Sequence, residues 1–114
     1  DRLHPILLAD IYSYRHKAIM TDNEIEAATV AKGTWQYGGS GLMPVRIIGL
    51  TFDYGYAIAE ADQQLIEGEQ PEPLGEQGLL YYAYFSQISG PAFPTVIQAK
   101  GFAQSMVRSE INWS

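Results

Sequence analysis

The chain has 114 residues, a formal net charge of -6 and no cysteine, which excludes a thiol nucleophile, a thiolate metal site and a disulfide framework. Its length suits one domain, 1–114, able to bury roughly two-thirds of its unfolded surface without metals or cross-links. With 46% hydrophobic residues it has the composition of an ordinary globular chain rather than a disordered one.

No apolar run approaches the roughly 18 to 20 residues of a membrane span, so no membrane partner is expected. Lack of cysteine is compatible with any compartment, and a cytoplasmic or similarly reducing one requires the fewest assumptions.

Charge is unevenly distributed. Asp1, Asp10, Asp22, Glu24 and Glu26 balance Arg2, Arg15, Lys17, Lys32 and Arg46 in the first 46 residues. Between Arg46 and Lys100 there is no Lys or Arg, while Asp53, Glu60, Asp62, Glu67, Glu69, Glu72 and Glu76 all fall there. Phosphate contacts need cations, so nucleic acid is not an expected partner of this region.

In chain order, Pro5 to Met20 reads as a helix with Leu7, Leu8, Ile11, Tyr14, Ala18 and Ile19 on one side; alternation of Tyr12, Tyr14 and His16 also fits a strand. Thr21-Asp22-Asn23-Glu24 has the form of a capping box and Gly33 stands where a helix would stop, which predicts a helix over 22–32. The same four residues would equally make a turn, turning the first third of the chain into a hairpin. Gly33 to Pro44 reads as a glycine-rich loop anchored by Trp35 and Tyr37; it lacks both the Lys-Ser/Thr ending of a P-loop and the spacing of a dinucleotide fingerprint.

Three strands are predicted next, at 45–52, 56–61 and 79–86, with Asp53-Tyr54-Gly55 as the turn between the first two. Leu79 to Ser86 is apolar or aromatic on both faces, as a central or doubly covered strand would be. Residues 63–78, with four glutamates, two prolines and three glycines, read as an exposed, mobile surface loop. Ile88 to Pro91 reads as a short loop leading to an amphipathic C-terminal helix over about 95–112. There Thr95 and Gln98 supply the capping signal, Val96, Ala99, Phe102, Ala103, Met106, Val107, Ile111 and Trp113 form one apolar side, and Ile97 falls outside it. The expected architecture is therefore α+β: an antiparallel sheet of at least three strands packed by the C-terminal helix, with an N-terminal part that is helical or a hairpin.

Chemical candidates are few. His4 and His16 are the only histidines, and neither these nor the serines stand in a zincin or nucleophile-elbow spacing. The inventory leans away from an enzyme, and no cofactor or metal is expected. The pattern points to a non-enzymatic interaction module or small subunit that binds a protein partner or a second copy of itself. Its expected surfaces are the acidic loop, through Glu67, Glu69, Glu72 and Glu76, and an aromatic sheet face, through Tyr82 and Tyr84. The alternative is a ligand-binding or enzymatic domain with a pocket near Trp35, Tyr37 and His16.

Overall fold

The computed structural model describes residues 20–39 and 41–114. The choice between helix and strand over residues 5–19, and both histidines with it, lie outside the described residues.

Among the described residues five antiparallel strands form one sheet in the order β4-β3-β2-β1-β5: β1 Thr29–Gln36, β2 Leu42–Leu50, β3 Leu80–Tyr84, β4 Ile88–Phe93 and β5 Asn112–Trp113. Three helices accompany them among the described residues: α1 Asp22–Ala28, α2 Tyr54–Ala61 and α3 Val96–Ser105. The fold is α+β, with the C-terminal helix α3 packed on the sheet.

The two central strands explain this arrangement. Period-two alternation sends Val45 and Ile47 of β2, with Tyr81 and Ala83 of β3, to one face, where they meet Ala99 and Ala103 of α3 and Ile111. Ile48 and Leu50 of β2, with Leu80 and Tyr82 of β3, go to the other face, where they meet Met20 and Ile25, with Tyr54 and Ile58 of α2 alongside. Both faces are apolar, so both must be covered, and the helices divide accordingly. The fully buried alanines let α3 lie close to the sheet.

Helix starts follow the capping signals. At α1 the Thr21 hydroxyl accepts from Glu24 N–H at 3.1 Å and the Glu24 carboxylate accepts from Thr21 N–H at 2.7 Å. At α3 the Thr95 hydroxyl accepts from Gln98 N–H at 3.1 Å, while Gln98 Oε1 accepts from that hydroxyl at 3.0 Å rather than from the cap's backbone.

Four expectations need correction. Tyr54–Ala61 is a helix, not a turn and the strand 56–61: Asp53 Oδ1 accepts from Tyr56 N–H at 3.0 Å as an N-cap, and Tyr54, Ala57 and Ile58 share one face at helical spacing. Helix α1 ends at Ala28, where the Thr29 hydroxyl donates to Ile25 C=O at 2.6 Å, and Gly33 lies in β1 beneath Ile111 and Trp113 instead of stopping a helix; the segment from Gly33 to Pro44 is thus largely a hairpin. Ile88 to Pro91 belongs to β4, whose outer side is interrupted by Gly90, at φ 79°, and by Pro91. Gly90 is required there because the Phe102 ring occupies the space a Cβ would take. Finally, the C-terminal helix stops at Ser105. The Gln104 side chain accepts from Ile111 N–H at 2.9 Å and donates to Ser109 C=O at 2.8 Å, drawing the chain back so that Asn112–Trp113 pairs with β1.

The N-terminal elements are clamped by charge. Lys32 of β1 and Arg46 of β2 are paired in register, and both reach Glu26 of α1, at 3.1 and 2.8 Å. Hydrogen bonds from Arg46 and then Lys32 hold the Glu26 carboxyl below its ordinary value of 4.5. A depressed carboxyl stabilises the fold above its unfolded pKa, and the contribution disappears as pH falls through the folded one. Glu26→Gln should therefore flatten the acid limb of the stability–pH curve below about pH 4.5 while leaving its shape near neutrality unchanged, as followed by urea titration at successive pH values.

Core and surface positions on similar side chains should separate sharply. Ile47→Ala, at a fully buried site, should cost about 2–5 kcal/mol. Ile97→Ala, at a site 81% exposed, should stay within about 0.5 kcal/mol by denaturant unfolding.

Candidate functional site

The acidic segment is an exposed arm of residues 62–79, but it is tied down along its length. Gln63, at φ 59°, turns the chain away from the end of α2. A local turn follows, in which Glu69 N–H donates to Ile66 C=O at 2.9 Å and Glu69 Oε1 accepts from Ile66 N–H at 3.0 Å. Glu72 N–H donates to Asp53 Oδ2 at 2.9 Å. Further on, Gly75 N–H donates to Leu79 C=O and Glu76 N–H to Pro94 C=O, both at 2.8 Å. The Glu76 carboxylate accepts from Val96 N–H at 3.2 Å, which satisfies a first-turn amide of α3. Backbone atoms of Pro94 fill the space beside Gly75 where a side chain would begin, so the arm sits flush on the chain entering α3.

Asp53 is the hinge pin of this arrangement. One carboxylate oxygen caps α2 and the other holds the arm. On either side of that link lies a concavity. The first, of about 370 Å³, lies between α2 and the arm and is lined by Thr51, Phe52, Asp53, Tyr56, Ala57, Glu60 and the run Pro71–Leu74. The second, of about 540 Å³, is bordered by Tyr54–Tyr56, Glu69, Gln70, Glu72 and the outer strand β4. Both carry carboxylates, and among the described residues neither is lined by Lys, Arg or His.

The residues singled out from the sequence fall in different places. Glu67, Glu69, Glu72 and Glu76 are all exposed on the arm. Of the four, Glu69 and Glu76 use a carboxylate oxygen to hold backbone N–H groups. Tyr82 is 2% exposed and does not belong to an open aromatic face; its side chain lies under α2 and its hydroxyl accepts from Tyr54 N–H at 2.8 Å. Tyr84 is half-buried against the same cluster. The sheet's aromatics are covered because helices occupy both faces.

Trp35 and Tyr37 do come together, with ring centroids 5.7 Å apart, and Phe85 lies 6.4 Å from Trp35. Trp35 lies on β1 and Tyr37 opens the glycine turn at the end of the β1–β2 hairpin, where Gly38 and Gly41 take positive φ and Tyr37, Leu42 and Met43 are exposed. His16, their expected companion, lies outside the described residues.

Asp53, Tyr56, Glu60 and Pro71–Leu74 were not anticipated as a unit. The available signal was the Asp53-x-x-Tyr56 cap before Tyr54, Ala57 and Ile58, which marks a helix and thereby brings Glu60 to the side facing the arm.

Among the described residues no cluster of three or more His, Asp or Glu side chains is placed to hold a metal ion, and no helix is long and apolar enough to cross a membrane. Compared with protein-family models, curated proteins and solved structures, the chain matches none.

Burial pushes the Tyr82 phenol up to about 12, with Asp53 and Tyr54 adding to the effect against the hydrogen bond from Tyr54. Because this folded pKa lies above the ordinary 10.0, its stabilising contribution is complete below pH 10 and is lost as pH rises through about 12. Burial raises the Tyr54 and Tyr81 phenols as well, so alkaline titration of the phenolate absorbance should show a late-ionising fraction that Tyr82→Phe diminishes but does not abolish. A Tyr82 signal ionising near the ordinary 10.0 would contradict the burial.

Proposed function

We propose that the protein is a non-enzymatic interaction module that binds a basic protein segment along the acidic arm. The observation that carries this reading is that a stretch with five carboxylates and no cation is held in place beside two concavities by Asp53, Glu76 and Gly75. A solubilising loop has no need of such anchoring. Fixing like charges at one rim costs repulsion, which a cationic partner relieves, and a rim already ordered loses little entropy on binding. The same sign of charge disfavours nucleic acid and other polyanions. Partner contact through a sheet face is not part of the proposal, since Tyr82 is enclosed.

Isosteric neutralisation tests the idea cleanly. Changing Glu67, Glu69, Glu72 and Glu76 to Gln keeps the acceptor oxygens that serve Ile66 and Val96 while removing the charge. Titrated calorimetrically with short blocked peptides of increasing lysine and arginine content, the native protein should bind more tightly as peptide charge rises and more weakly as salt is added. The fourfold variant should lose about 0.2–1 kcal/mol for each exposed charge removed. Binding that is indifferent to both salt and the four substitutions would refute the proposal.

A further inference from the structure

We infer that the cavity between α2 and the arm receives a single lysine or arginine side chain of the partner, seated as an apolar stem with a cationic head. This rests on the interaction reading above and names the part of the partner that enters. The cavity's walls are mainly apolar, built from Phe52, Tyr56, Ala57, Pro71, Pro73 and Leu74. Its volume of about 370 Å³ is at the low end of small-ligand sites, roughly 300–1,000 Å³, and suits one long side chain with its immediate neighbours.

The carboxylates decide the chemistry of the occupant. Both oxygens of Asp53 are engaged with Tyr56 and Glu72 N–H groups. Glu60 on α2 and Glu72 on the arm approach from different elements, and neither side-chain carboxylate has a hydrogen-bond or ion-pair partner among the described residues. A neutral apolar occupant would strip water from these two charges without compensation. A bare divalent ion would need several converging oxygen ligands, which the described residues do not offer. A lysine or arginine side chain satisfies both halves of the site: its methylenes lie along the proline and leucine wall, its charge meets the carboxylates, and the aromatic rings favour a cation over them.

Two glutamates of equal charge provide the test. Glu60 lines the cavity, whereas Glu67 stands on the exposed arm away from it. Blocked peptides with one central lysine or arginine would be compared with the same peptides carrying norleucine or citrulline there, against native protein, Glu60→Gln and Glu67→Gln, by calorimetry. Glu60→Gln should weaken binding of the cationic peptides by about tenfold or more, the effect of removing a partly desolvated partner. Glu67→Gln should weaken it by less than about fivefold, as for a screened surface charge. The norleucine and citrulline peptides should bind poorly to all three proteins.

Equal losses in the two variants would overturn the cavity assignment and leave the arm as a diffuse electrostatic surface. A free alkylamine binding as tightly as the peptides would overturn the assignment to a protein side chain. If no cationic peptide, singly or multiply charged, binds native protein, the broader interaction reading falls too. Matching thermal transitions for both variants, expected at exposed positions, separate these outcomes from misfolding.

Discussion

Two-sided burial of β2 and β3 is the constraint on which the rest of the structure depends. A strand with Leu80 and Tyr82 on one face and Tyr81 and Ala83 on the other has no side fit for water. Helix α3 answers one face, and α1 with α2 answers the other. That demand explains why the chain leaves the sheet after Leu50, sets Tyr54 and Ile58 of α2 against the open face, and must then travel back to start β3. The acidic arm is the return path, and its position follows from where α2 ends and β3 begins.

Much of this was legible where local chemistry and burial agree. The capping residues Thr21 and Thr95 mark true helix starts, the doubly apolar run at Leu79 to Ser86 marks a doubly covered strand, and Ile97 is exposed as its place outside the apolar stripe implies. Legibility failed where two periods coincide. Tyr54, Tyr56 and Ile58 alternate like a strand, yet Tyr54, Ala57 and Ile58 also keep helical spacing, and the Asp53 cap decides between them. It failed again where contacts distant in sequence take over. Ile111 and Trp113 do face inward, but from a returning strand, because the Gln104 side chain and β1 outweigh continuation of the helix. The candidate site was half legible: charge marked the arm, while the wall it faces required knowing that α2 is a helix.

The arm also changes how its composition should be understood. Proline, glycine and glutamate usually signal a chain too polar to order itself, yet here few of the stabilising contacts are apolar. Order comes from backbone N–H groups that find acceptors on neighbouring elements, and from one place, Gly75, where the absence of a side chain permits contact with Pro94. Carboxylates on and beside the arm do two kinds of work: Asp53, Glu69 and Glu76 hold amides, and Glu60, Glu67 and Glu72 are left for solvent or a partner.

The outer strand β4 carries a consequence for behaviour at high concentration. An open sheet edge is a template on which another chain can grow, and the lateral growth of sheets is how many β-rich proteins are lost to fibrils. At β4 the left-handed kink of Gly90 bends the row of backbone groups, and Pro91 has no N–H to offer a newcomer. On the far side, β5 and the Ser114 N–H, which donates to Lys32 C=O at 2.9 Å, occupy part of β1. The glycine whose place is dictated by the ring of Phe102 thus also breaks the regular edge that β4 gives the described sheet: the contact that seats the helix makes that edge a poorer template.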